Sequence, residues 1–142
     1  MANQVLFLNN RNNGTQYKKK ASTVFQQGML VEIDGTTGYI QPATNTTPVL
    51  GVCNEEVTSA SANYALNSDL NVSEAVYNDE LLFTVSTGSA TQAMVGRYVP
   101  IDAASTGVVV AGISATVSAA TPILITRFIN ATTIVGKIAF RF

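Results

Sequence analysis

The chain has no histidine, no tryptophan, one cysteine and few charges. Each shortage removes a class of chemistry. Without histidine there is no ordinary general base near neutral pH, no imidazole metal ligand, and no Ser-His or Cys-His nucleophile pair. One cysteine, Cys53, makes neither an internal disulfide nor a thiolate metal cluster. Its setting, Leu50-Gly51-Val52-Cys53, predicts a small buried apolar residue, and the adjacent Glu55 and Glu56 would blunt a thiolate there. Charged residues make up 12% of the chain, where about 25% is typical, and the formal net charge is −1. A duplex-DNA binder needs a clustered basic footprint, which this balance does not supply. No apolar run approaches the roughly 20 residues of a membrane-spanning helix. The first ten residues have no basic start and an apolar run too short for a secretory leader, so none is expected.

What fills the chain instead is Val, Ile, Thr, Ala, Ser and Asn. Stiff β-branched residues in short runs, broken by Gly, Asn, Asp and Pro, predict strands. The runs are Val5–Leu8, Met29–Ile33, Tyr39–Gln41, Val49–Cys53, Leu81–Thr87, Arg97–Ile101, Gly107–Ala111, Ile123–Phe128 and Ile134–Phe142. Asp34-Gly35-Thr36-Thr37-Gly38 is turn-forming and closes a hairpin between its flanks. Residues 59–71 are Ala-, Ser- and Asn-rich without period-2 alternation, and are expected to be a loop or short helix carrying Tyr64 and Leu66. At the C-terminus, Ile138, Phe140 and Phe142 alternate with polar or small residues. A final amphipathic strand explains that pattern. An outer-membrane barrel does not, because the other runs lack its spacing of about ten alternating residues per strand.

The chain repeats itself loosely. Gly28-Met29-Leu30-Val31-Glu32-Ile33-Asp34 aligns with Gly96-Arg97-Tyr98-Val99-Pro100-Ile101-Asp102. Gly38-Tyr39-Ile40 has a counterpart in Gly107-Val108-Val109, and Thr47-Pro48-Val49-Leu50 in Thr121-Pro122-Ile123-Leu124. Two copies are too few for a solenoid, so both halves are expected to close one core. The fold class is therefore all-β: a single-domain β-sandwich or β-barrel-like module with pseudo-repeated halves, about 25–58 and 93–130, within a β domain over 21–142. Residues 1–20, polar and turn-prone with the run Lys18-Lys19-Lys20, are expected to be an extended N-terminal arm removable without loss of the fold.

The acids form no recognisable catalytic set. Asp34 and Asp102 are placed at equivalent positions by the repeat, as the aspartates of an acid protease would be. Their contexts, Asp34-Gly35-Thr36 and Asp102-Ala103-Ala104, lack the Asp-Thr/Ser-Gly signature, and short polar residues at strand ends are ordinarily turn formers. EF-hand, phosphate-loop and Gly-x-Ser-x-Gly spacings are absent. No catalytic residue, cofactor or metal is expected, and the chain is not expected to be an enzyme. Aromatics stand beside arginine only at Arg97-Tyr98 and Arg127-Phe128, too few for a single-strand nucleic-acid platform.

Phe25-Gln26-Gln27-Gly28-Met29-Leu30-Val31, then Gly38-Tyr39-Ile40-Gln41-Pro42-Ala43 and Val49-Leu50-Gly51-Val52, resembles the start of small capsid decoration proteins of tailed bacteriophages. Val95-Gly96-Arg97-Tyr98-Val99 and Thr106-Gly107-Val108-Val109 are similar in style. The resemblance spans about Phe25 to Ala111. It implies a β-rich subunit, commonly a homotrimer, that is made in the host cytoplasm and sits on the capsid exterior of the virion. There it would bind the major capsid protein and tie neighbouring capsomers together, with no nucleic-acid or membrane partner. Candidate contacts with the capsid or another subunit are Arg11, Lys18, Lys19 and Lys20 of the arm, and Phe140 and Phe142 of the closing strand. The alternative is a subunit of a phage fibre, spike or receptor-binding knob, which shares the composition.

Overall fold

A computed structural model of the chain describes residues 5–7, 14–75, 78–102 and 106–141. It is all-β, with eleven strands among these residues: β1 (Val5–Phe7), β2 (Gly14–Lys18), β3 (Leu30–Ile33), β4 (Ile40–Pro42), β5 (Val49–Cys53), β6 (Asp69–Glu74), β7 (Leu81–Thr87), β8 (Tyr98–Val99), β9 (Val108–Val109), β10 (Ile123–Asn130) and β11 (Thr133–Ile138). One sheet has the order β2-β6-β5-β3-β4; the other runs β1-β7-β11-β10-β8, with β9 also on β7.

The sequence repeat is a repeat of strand pairing. Strands β2 to β6 and β7 to β11 are two five-strand sets with one topology, the first set's order matching β7-β11-β10-β8-β9. Each set returns to its start through parallel contacts: Lys19 bridges Ile40 in the first, and Val85 pairs with Val108 in the second. The β3–β4 hairpin and its counterpart agree residue by residue. Ile33 pairs with Ile40 as Ile101 bridges Val108. The Asp34 amide donates to the Tyr39 carbonyl (2.9 Å) as Asp102 does to Gly107 (3.1 Å). In both sets this hairpin is entered through a glycine at φ 88°, Gly28 before β3 and Gly96 before β8, in the left-handed region that a side chain would make costly. The Gly28 amide donates to Cys53 and the Gly96 amide to Ile125, each at 2.8 Å. The Thr-Pro match is out of step with this pairing, since it would set Gly51 rather than Cys53 against Ile125. A register break between Val31 and Glu32 on the β3–β5 pair, absent from β8–β10, belongs to that slip.

Two apolar clusters follow. Val31, Ile40, Leu50, Cys53, Leu70 and Val72 fill the first set, closed by Phe25, Met29 and Val57. Phe83, Val85, Val99, Ile101, Val108, Ile123, Ile125, Ile134 and Ile138 fill the second. Leu30, Val49 and Val52, from strands of the first set, belong to the second cluster, so the halves share one body. This is why β5 is apolar along its whole length: it is buried on both faces. Polar ties reinforce the joint. Asn45, at φ 69°, offers its amide to Ile101 as a strand would, donating Nδ2 to the carbonyl (2.6 Å) and accepting from the amide at Oδ1 (2.8 Å).

Residues 59–68 form turns, the loop alternative, but 69–71 open an unexpected strand, β6, whose buried residues Leu70, Val72 and Ser73 alternate imperfectly among polar ones. The closing strand ends at Ile138, not at Phe142, because the Ala139 and Phe140 amides turn to the Pro122 carbonyl.

Candidate interaction surface

The charge run is dismantled by strand alternation. Lys18 and Lys20 point outward, whereas Lys19 is fully buried. By pairing, Lys19 stands where the second set has Val85. Its stem lies in the interior, and its Nζ donates to the carbonyls of Leu66 (2.6 Å) and Tyr64 (3.3 Å), which the turn before β6 presents. Burial lowers its pKa. Lys19 is therefore a structural residue and no candidate for contact with a partner. Lys18 pairs with Asp69 across the β2–β6 ladder (2.8 Å). Lys20 reaches Asp34 (3.4 Å) and Gln41 (3.3 Å). No unneutralised basic patch remains at this run.

Residues 14–20 are likewise not an arm outside the domain. β2 pairs with β6 along its length, and β1 pairs with β7 in the other sheet. Removing everything up to Lys20 would delete one strand from each sheet and the buried Lys19, so loss of the fold, not a clean truncation, is the expected result. Arg11 and Phe142 lie outside the described residues. Phe140 is half-buried, and its carbonyl accepts from the Val49 amide (3.1 Å), tying the C-terminal stretch to β5.

The acids act as turn formers and buried acceptors. Asp34 accepts from the Thr36 amide (2.9 Å) and Asp102 from the Thr106 amide (3.0 Å), each holding its hairpin. The Thr36 amide, with smaller help from Thr37 and Lys20, keeps the Asp34 carboxyl below its usual range. Glu32 is fully buried. Its carboxylate accepts from Gln41 Nε2 (2.7 Å), the Thr44 amide (2.8 Å) and the Thr44 hydroxyl (3.0 Å), and so fastens the loop that carries Asn45. Tyr17 donates its hydroxyl to Glu74 across the β2–β6 pair. Cys53 is buried, and desolvation pushes its thiol up to about 11. No group of three or more His, Cys, Asp or Glu residues placed to hold a metal occurs among the described residues.

Beside uncharged polar side chains, the accessible surface carries single apolar residues and an open stretch of main chain. Leu6, Val24, Leu66, Val117 and Ile129 are exposed, Leu66 the most, at 57%. β2 is open: Gly14, Thr15, Gln16 and Lys18 are exposed, and among the described residues no strand lies on its side away from β6 along Thr15–Tyr17. Sequence reading missed this strand, because Lys19 in an inward position hid the alternation that Thr15, Tyr17 and Lys19 make on one face. Comparison of the chain with known protein families finds no match, and comparison with curated proteins finds none.

Proposed function

We propose that this protein is a viral structural module that binds the outside of an assembled phage capsid and stabilises it by bridging neighbouring capsomers. The observation carrying the reading is the repeated Gly-led hairpin: the residues of the resemblance, Gly28–Val31 and Gly38–Ala43, form one such unit, and Gly96–Val99 and Gly107–Val109 form its copy. Two rigid β halves sharing a core make a compact body that can touch two neighbours at once, and many copies on a shell gain avidity without high single-site affinity. The low surface charge, with Lys18, Lys20 and Arg127 each beside an acid, suits close packing on a crowded surface. The test is co-sedimentation of the purified protein with expanded phage heads that lack decoration, followed by thermal challenge of the heads. Saturable binding with raised head stability is the expected outcome. Absence of binding to such heads from any candidate host phage would overturn the reading.

A further inference from the structure

In the second set, β7 has a neighbour that its counterpart β2 lacks among the described residues. β1 lies antiparallel along the first half of β7, with Val5 opposite Phe83, Leu6 opposite Leu82 and Phe7 opposite Leu81. The Val5 amide donates to Gly28 instead of β7, so Leu6 is the residue whose main-chain groups meet those of Leu82. Strand pairing makes Tyr17 the counterpart of Phe83, since Tyr17 faces Leu70 as Phe83 faces Ile134. Gln16 is then the counterpart of Leu82. The Lys19 amide donates to Ser68 on β6, and Lys20 to Ile40 on the other side. By alternation Tyr17 and Thr15 turn their main-chain groups to β6, and Gln16 turns its N–H and C=O away. The Asn71 amide and carbonyl opposite Gln16 are engaged with Glu55 and Asn54, which confirms the phase of the ladder. Gln16 thus presents, at an exposed edge, the groups that Leu82 has satisfied by β1.

We propose that this edge of β2 is a strand-addition site, and that it takes an extended segment of another protein, antiparallel, as β1 lies on β7. Strand addition to an open edge gains main-chain hydrogen bonds, with specificity from alternate side chains. The occupant's chemistry follows from β1: a β-branched or aromatic residue opposite Tyr17, in the place of buried Val5, and no requirement opposite Gln16, since Leu6 is exposed. It carries no charge requirement, because Lys18 and Lys20 already have acids. A second copy does not fit. Its own β1 is in use on β7, so it has no free copy of that strand to donate. The site stands on the geometry of β2; only the donor's identity as a shell subunit rests on the proposed function.

Amide exchange read residue by residue tests it, with a soluble peptide of the β1 sequence Asn-Gln-Val-Leu-Phe-Leu as probe. Excess peptide should slow exchange at Gln16 about tenfold or more. Gln16→Pro, which removes the reporting amide as well, should abolish binding of the fluorescently labelled peptide, read by anisotropy, while β6 amides stay protected, because the lost N–H does not serve the β2–β6 ladder. If the variant does not fold, a peptide N-methylated at its first leucine, tested on the unmodified protein, should fail in the same way. No slowing at Gln16 overturns the site, as does slowing confined to Leu82, which would mean exchange with β1. Slow, concentration-dependent exchange at Gln16 without peptide would assign the edge to a second copy and overturn the occupant. Loss of capsid binding with an intact peptide response would count against the function alone.

Discussion

Glu32 illustrates how this molecule uses a charge. The carboxylate is buried, yet both oxygens have donors: Oε1 accepts from the Thr44 amide and Oε2 from Gln41 Nε2, with the Thr44 hydroxyl within reach of both. Glu32→Ala would leave the Thr44 amide and the Gln41 side chain without their acceptor, and is expected to cost about 1–3 kcal/mol, read as a lower midpoint in urea. Glu32→Gln should cost less, because it keeps an acceptor. A second residue-scale effect is alkaline. Burial, then Glu74, pushes the Tyr17 hydroxyl up to about 12. The folded value lies above the unfolded one, so this stabilisation is whole below about pH 10 and is lost as pH rises from there towards 12. Cys53 acts with the same sign, from about pH 9 towards its raised value. Lys19 acts with the opposite sign, because burial lowers its pKa, so its contribution rises with pH until the unfolded lysine loses its proton near 10.5. The clean mark is therefore the decline from about pH 10 towards 12, which Tyr17→Phe should flatten in thermal melts. The thiol itself should react with a disulfide reagent at neutral pH only at the rate of unfolding.

At the scale of elements, β5 lies close against β6 at Gly51. A Cβ at Gly51 would run into the Ser73 carbonyl and the Glu74 backbone, neither of which can yield as a side-chain tip would. Gly51→Ala is expected to destabilise by about 1–3 kcal/mol through overpacking. Gly35→Ala makes the control: a Cβ there meets open space, and its effect on the melting temperature should be small. Reading elements from sequence succeeded where both faces or one face of a strand were apolar, as in β3, β5, β7 and β10. It failed for β2 and β6, where Lys19 takes the inward position just past β2 and where Leu70 and Val72 are the only aliphatic side chains in the two strands. Such strands exist because neighbours pair with them, not because their own pattern demands it.

For the whole molecule, the joint between halves decides whether it behaves as one unit. Leu30, Val49 and Val52 pack into the second cluster, and Asn45 bonds Ile101 across the boundary. Unfolding should be a single cooperative transition, with calorimetric and van't Hoff enthalpies equal. Asn45→Ala should lower its midpoint without splitting it, since the apolar contacts remain. Light scattering bears on assembly. If the proposed function holds with a trimer over a symmetry axis, the protein is expected to run at about three chain masses at micromolar concentration. A clean monomer would restrict any trimer to the shell itself.

The sequence alone determined the class of the fold and the presence of two related halves, because β-branched runs, turn residues and the glycines at 28 and 96 act locally. Local chemistry also identified Asp34 and Asp102 as equivalent turn formers rather than a catalytic pair. Tertiary structure alone decided which way each strand faces and what lies beside it. Lys19 reads as one of three solvated cations until a β6 partner and a nearby turn place its stem inside and give its amine two carbonyls. The open edge of β2 is likewise defined by the lack of a neighbour among the described residues, and pairing between residues distant in sequence leaves no local mark to read.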